Sequence, residues 1–109
     1  MTVSQEYVDY VLEQLEPFGS VQPKRMFGGV GLYHEQVFFA LISDDTLFFK
    51  VDDSNRADYQ ALGMDAFQPY KDKPASMQYY SVPIEVLEDP DQLALWARAA
   101  HQVAVNARS

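Results

Sequence analysis

The sequence has 109 residues, no cysteine and a formal net charge of −8, and 48% of its residues are hydrophobic. This composition predicts one globular domain with a single core, and it excludes disulfides and thiolate metal sites. An acidic chain repels the phosphate backbone, so direct nucleic-acid binding is not expected. The sequence contains no apolar run of membrane-spanning length and no signal peptide, which favours a cytoplasmic protein.

The first predicted element is a helix with one apolar face. Ser4 suits its N-cap, and Pro17 and Gly19 are expected to end it. The apolar positions follow the helical repeat: Tyr7, Val8, Val11, Leu12 and Leu15.

In residues 23–52 the apolar residues follow patterns that are typical of strands. Residues 37–42 form a continuous apolar run, which indicates a strand that is central or covered on both faces. Residues 46–51 alternate, with Leu47, Phe49 and Val51 on one face. Residues 25–33 predict one strand or two bent halves, joined to the next strand through residues 34–36. The economical arrangement is an antiparallel meander.

The second half of the chain predicts two further helices and one strand. A short helix over 55–62 follows a cap at Asp53 or Ser54, with Gly63 in the left-handed position. Residues 64–76 are expected to form a surface loop, residues 77–82 a strand and residues 83–87 one helical turn. Asp89 and Pro90 are a good start for the last helix. Its buried stripe is predicted to be Leu93, Trp96, Ala97, Ala100 and Ala104.

Together these elements predict an α+β fold. We expect a two-layer α/β sandwich in which an antiparallel sheet is flanked by helices, in the order α-β-β-β-β-α-β-α. No internal repeat or linker is visible, so a single domain over residues 1–109 is expected.

A glycine-rich stretch at residues 24–33 is the first candidate for a chemical site. A phosphate-binding loop needs lysine and a hydroxyl after its glycines and a helix that follows, whereas Leu32 and Tyr33 follow here. The order of residues also differs from the aromatic strand of RNA-recognition domains. We therefore expect the glycines to permit a strong bend, a bulge or the close approach of a helix, with Trp96 as a bulky group that could fill the space.

The cations and the paired tyrosines are the remaining candidates for a binding surface. Lys24 and Arg25 are adjacent in a strand, so they should point to opposite faces, and Arg56 could join one of them or pair with a nearby aspartate. Of Tyr79 and Tyr80, one should point inward and the other outward as an aromatic anchor.

Neither a metal centre nor catalytic machinery is expected. The pairs Asp44-Asp45 and Asp52-Asp53 do not start a calcium loop of EF-hand spacing. His34 and His101 are the only histidines, and no zinc or nucleophile motif surrounds them. We therefore expect no cofactor and no enzyme activity.

A set of residues distributed in order through the chain resembles a known family. These residues are Arg25-Met26-Phe27-Gly28-Gly29 with Gly31, Phe39-Ala40-Leu41-Ile42, Leu47 with Lys50-Val51-Asp52, Asn55-Arg56-Ala57-Asp58, Met77 with Tyr79-Tyr80, Val82-Pro83, and Leu87-Glu88-Asp89-Pro90 with Leu93 and Trp96-Ala97. They closely resemble the N-terminal domain of the TfoX/Sxy family, and Met26, Phe27, Gly28, Gly29, Gly31 and Trp96 look like its structural motif.

The resemblance implies a fold similar to that of type III secretion chaperones. It also implies a link to regulators of natural competence, which work with the cyclic-AMP receptor protein and carry a second, C-terminal domain. We expect that domain to be absent from this chain. The resemblance supplies no catalytic residue.

Two functions remain open from the sequence. The first is a non-enzymatic interaction module that binds a protein, such as a transcription regulator, or a second copy of the chain, through a sheet face or edge. The alternative is a domain that binds or transforms a small anionic ligand through the region of Arg25, Arg56, Tyr79 and Tyr80.

Overall fold

The computed structural model describes residues 3–26, 28–68 and 76–108, except for the side chains at 76, 77 and 108. Within these residues the helices are α1 (Gln5–Gln14), α2 (Arg56–Ala61), α3 (Ile84–Leu87) and α4 (Pro90–Arg108). The strands are β1 (Gln22–Met26), β2 (Gly29–His34), β3 (Val37–Ser43), β4 (Thr46–Lys50), β5 (Ala66–Phe67) and β6 (Ser76–Ser81).

The strands form one antiparallel six-stranded sheet in the order β1-β2-β3-β4-β6-β5. This confirms the predicted α+β fold and the meander of the first four strands. Residues 25–33 are two strands of a hairpin, β1 and β2. The structure adds β5 inside the segment that was predicted to be a loop, and the rest of that loop, residues 69–75, lies outside the described residues.

Helices α1 and α4 start where their capping residues predict. The Tyr7 backbone N–H donates to Ser4 Oγ at 3.2 Å, and Asp89 Oδ1 accepts from the backbone N–H groups of Asp91 and Gln92 at 3.2 and 3.3 Å. The cap of α2 differs from the prediction. Asn55 occupies the N-cap position, and its side chain instead bonds the Asp52 N–H and the Lys50 carbonyl.

The core lies between one face of the sheet and the helices. Val11, Leu32 and Leu93 are completely buried there, together with Phe49. Alanines at 97, 100 and 104 let α4 lie close to β3 and β4. None of the helices in the described part of the chain is both long and apolar enough to cross a membrane.

A bulge explains the continuous apolar run in β3. The pairing of β2 with β3 shifts between Leu32 and Tyr33, which leaves Phe39 as the additional residue on β3. Phe39 and its neighbour Ala40 are therefore both fully buried, whereas Phe38 is only partly buried. The run is apolar because β3 is central and contributes to both faces of the sheet.

Candidate functional site

The face of the sheet opposite the helices is the main candidate surface, and we call it the open face. Directly paired residues of neighbouring strands point to the same side, so the register identifies its members. Gly31, Leu41 and Phe48 are paired in one row across β2, β3 and β4, and Lys50 pairs with Tyr79 in a second row. The described half-exposed side chains of this face include Met26, Tyr33, Phe38, Leu41, Phe48, Lys50 and Tyr79.

An aromatic row crosses the open face. The ring of Phe38 lies 5.3 Å from that of Tyr33 and 5.8 Å from that of Tyr79. Lys50 Nζ lies 5.0 Å from the centre of the Tyr79 ring and donates to Gln78 Oε1 at 2.9 Å. These contacts fix the rings and the ammonium group in place, so the face presents a pre-formed apolar surface with a cation beside it.

The Tyr79 hydroxyl remains protonated on this surface at neutral and mildly alkaline pH. Burial, and to a lesser extent the neighbouring Tyr33, raises the pKa of Tyr79 to about 12. The hydroxyl therefore offers both a hydrogen-bond donor and an acceptor at the end of the aromatic row.

The charge of the open face is opposite to that of the whole chain. None of the six strands contains Asp or Glu, although the chain has 16 acidic residues. Lys24 pairs with Gly31 and therefore lies on the same face as Lys50. Within the described residues, the strands of this apolar face contribute two lysines and no acid, unlike the acidic surface of the helices.

The open face ends in a groove at the edge where α4 finishes. The groove has a volume of about 310 Å³, and Phe38, Tyr79 and Lys50 line it from the sheet. Ala104 and Ala107 of α4 line it from the other side. Their small side chains leave room for a bulky group of a partner beside the aromatic row.

The predicted pairs alternate across the sheet as expected. Tyr79 lies on the open face, whereas Tyr80 pairs with Phe49 on the helix side and is only 4% exposed. Arg25 pairs with Val30, also on the helix side, and its Nη2 donates to Gln5 Oε1 at 3.2 Å. The prediction that Lys24 and Arg25, like Tyr79 and Tyr80, point to opposite faces of the sheet is therefore confirmed.

Arg56 lies with acidic residues at the start of α2. Its Nη1 donates to Asp53 Oδ1 at 2.6 Å, which matches the expected local ion pair. Hydrogen bonds from Ser54, assisted by Arg56 and Lys50, hold the pKa of the exposed Asp52 carboxyl below its ordinary value. This corner lies at the start of α2, and Arg56 and Asp53 there neutralise each other's charge.

The sheet order keeps the five predicted interaction residues apart. Arg25 is on β1 and Tyr79 on β6, and β2, β3 and β4 lie between them. Four strand spacings amount to about 19 Å. Of the predicted set, Lys24 and Tyr79 share the open face, and Arg25, Arg56 and Tyr80 lie elsewhere.

Comparison with known proteins identifies the family. The family model of the TfoX N-terminal domain matches residues 13–104 of the chain. The chain belongs to the TfoX N-terminal domain family. The DNA transformation protein TfoX1 of Aliivibrio fischeri (strain ATCC 700601 / ES114) is 30% identical over 69 residues, which cover 62% of this chain and 33% of the relative. The chain thus matches about a third of the length of that protein.

The glycine stretch of this TfoX N-terminal domain has structural roles. Gly28 has φ +79° in the turn after β1, a conformation that side chains disfavour. A Cβ on Gly29 would lie 2.6 Å from the Ile42 carbonyl oxygen of β3. A Cβ on Gly31 would meet Met26 Cε at 2.8 Å and Phe38 Cε1 at 3.0 Å. Gly29 and Gly31 therefore permit a close approach by other residues of the sheet, and not by a helix as expected. Phe27 lies outside the described residues.

Trp96 has a different role from the predicted one. Its ring packs edge-on against Tyr59 of α2 at 4.7 Å, so it joins α4 to α2 and does not cover the glycines. Tyr59 in turn packs against Tyr80 at 6.1 Å, and its deep burial raises the pKa of its hydroxyl. The hydroxyl has no hydrogen-bond partner among the described residues.

A second groove lies between α1 and α3 of the domain. It has a volume of about 740 Å³, and its apolar lining includes Tyr7, Tyr10 and Ile84. Glu6 and Glu88 also line it, so it carries negative charge, unlike the open face. This acidic groove provides a matched control surface for experiments on the open face.

Sequence reasoning missed the meeting of the two histidines. His34 at the end of β2 and His101 on α4 have ring centres 4.7 Å apart. They are separated by 67 residues in the sequence, and no local spacing signal links them. Only the packing of α4 over the β2–β3 hairpin brings them together.

Proposed function

We propose that this domain is a non-enzymatic regulatory module that binds a protein partner through the open face of its sheet. The observation that carries the proposal is the pre-formed aromatic row on a face whose described strands contain no acidic residue. Aromatic side chains that are half-exposed and held in place lose little conformational entropy on binding, which suits them to be anchors of an interface.

The charge of the open face favours a particular partner chemistry. Lys24 and Lys50 would complement carboxylates that surround an apolar patch on the partner. The two lysines would also attract a nucleic acid. However, the whole chain has a net charge of −8 and repels a polyanion at longer range. A protein surface that is mainly apolar with a few carboxylates at its rim fits the local charge and avoids the long-range repulsion that a polyanion would meet.

The family and the relative support a role in DNA transformation. The relative is named a DNA transformation protein, and this chain matches a third of its length. We therefore propose that the partner is a protein that takes part in the control of DNA transformation. A transcription regulator is the expected class.

A charge-reversal pair tests the proposal with little change in packing. Lys50→Glu on the open face and Arg98→Glu on the exposed side of α4 each change the net charge from −8 to −10. Each tagged variant is expressed in the source organism, and bound proteins are quantified by mass spectrometry after nuclease treatment. We expect Lys50→Glu to reduce recovery of a specific partner at least about tenfold, because like charges across an interface cost several kcal/mol.

The same strains are then assayed for transformation frequency. The proposal predicts that Lys50→Glu lowers the frequency in parallel with partner recovery, whereas Arg98→Glu leaves both unchanged. Equal recovery by the two variants would overturn the proposed surface. Recovery that disappears on nuclease treatment would show a nucleic-acid-mediated complex and would overturn the protein partner.

A further inference from the structure

The two histidines of the chain form a packed pair at the corner between the β2–β3 turn and α4. Their ring planes meet at 78°, with ring centres 4.7 Å apart. Phe18 packs against both, at 4.5 Å from the His34 ring and 6.2 Å from the His101 ring. A Cβ on Gly19 would lie only 2.9 Å from His34 Cε1, so the absence of a side chain there makes room for the ring.

Backbone carbonyls determine which nitrogen of each ring carries a proton. His34 Nδ1 donates to the Ser20 carbonyl oxygen at 2.7 Å, and His101 Nε2 donates to the His34 carbonyl oxygen at 3.1 Å. A carbonyl oxygen has no proton, so each contacting ring nitrogen must carry one. In the neutral rings the lone pairs therefore reside on His34 Nε2 and His101 Nδ1.

This arrangement is the one that holds histidines as metal ligands. A ligating histidine commonly donates its second ring N–H to a carbonyl or carboxylate, which orients the ring and fixes the tautomer. Both rings make that bond here. Each half-buried ring thus keeps one unprotonated nitrogen for a ligand.

A carboxylate completes the cluster. Glu35 follows His34 in the tight turn, where Glu35 and Gln36 have φ of +51° and +67°. Glu35 Oε1 lies 3.9 Å from His34 Nε2, and one ligand atom from each of His34, Glu35 and His101 lies within 4.8 Å of the others. The Glu35 side chain is 75% exposed, so it can change rotamer to close on an ion.

We infer that His34, Glu35 and His101 form a binding site for a divalent transition-metal ion, with Zn²⁺ best matched to two imidazoles and one carboxylate. Ligand bonds of about 2.0–2.2 Å require ligand atoms roughly 3.3 Å apart in a tetrahedral site, so ligand atoms that now lie within 4.8 Å of one another would move closer by up to about 1.5 Å. Water would occupy the fourth position on the exposed side. A bound ion would join α4 to the β2–β3 turn.

Isothermal titration calorimetry with Zn²⁺ on the metal-free chain tests the inference. We expect one ion per chain, and we expect His34→Gln and His101→Gln each to weaken binding at least about tenfold, since even outer-shell changes cost 10- to 100-fold. Asp44→Asn is the matched control, because Asp44 occupies the corresponding left-handed position of the β3–β4 turn, with φ +53°. It should leave the affinity unchanged.

The imidazole ¹⁵N resonances of the wild-type chain give a second measurement that needs no variant. Zn²⁺ should shift the signals of His34 Nε2 and His101 Nδ1 and leave the carbonyl-bonded nitrogens protonated. A wild-type Kd weaker than about 0.1 mM at neutral pH, or equal binding by the double histidine variant, would overturn the site. These results are independent of the partner proposed for the open face.

Discussion

The three glycines of the hairpin provide a graded test of the close packing in the sheet. Gly29→Ala places a Cβ 2.6 Å from the Ile42 carbonyl oxygen. Carbon atoms in comfortable contact lie about 3.5 Å or more from their neighbours, so the two backbones must separate by roughly 0.9 Å. Ile42 pairs with Val30 in the centre of the sheet, so the displacement also disturbs hydrogen bonds between β2 and β3.

Overpacking of this kind costs about 1–3 kcal/mol, and we expect a value near the upper end because the obstacle is backbone. Alanine substitutions at Gly31 and Gly28 give the stability changes for comparison. Gly31→Ala meets side-chain atoms only, and the nearest is the flexible end of Met26, which can shift on the open face, so it should cost less than about 1 kcal/mol. Gly28→Ala has open space but φ +79°, and should cost about 1–2 kcal/mol.

Equilibrium urea unfolding followed by circular dichroism measures all three variants. The expected order of destabilisation is Gly29→Ala first, then Gly28→Ala, then Gly31→Ala. In thermal unfolding about 2 kcal/mol corresponds to a loss of roughly 8–16 °C in a domain of this size. A Gly29→Ala variant as stable as Gly31→Ala would refute the close backbone approach.

Three further predictions concern the candidate surface and its support. The free energy of unfolding should fall between about pH 10 and 12, because the folded state retains a Tyr79 proton that the unfolded state loses, and Tyr79→Phe should reduce that fall in alkaline urea titrations. Asn55→Ala should cost about 1–3 kcal/mol in urea unfolding, since it leaves the Lys50 carbonyl without its side-chain donor, and an unchanged midpoint would contradict this role. Asp89→Ala should cost about 1 kcal/mol through the lost cap of α4, whereas Asp91→Ala should cost clearly less.

Local signals predicted most of the fold. The caps at Ser4 and Asp89 and the left-handed Gly63 depend on a few neighbouring residues, so the sequence displays them directly. The alternation of strand side chains also placed Tyr79 and Tyr80 on opposite faces correctly.

Features that depend on distant packing were not predictable. The Glu35-Gln36 turn uses two left-handed residues without glycine, a choice that the pairing of β2 with β3 imposes. The position of Trp96 depended on where α4 crosses α2. The open face could be recognised only when the register showed which strand residues share a side.

Site-specific photocrosslinking in living cells tests the proposed partner surface most directly. A photoreactive amino acid replaces Phe38 on the open face in one strain and Tyr10 in the acidic groove in another, and adducts are identified by mass spectrometry. The proposed function predicts one recurrent protein adduct from position 38 and not from position 10, and its loss when Lys50→Glu is added. Adducts from position 10 alone, or no specific protein adduct from position 38, would contradict it.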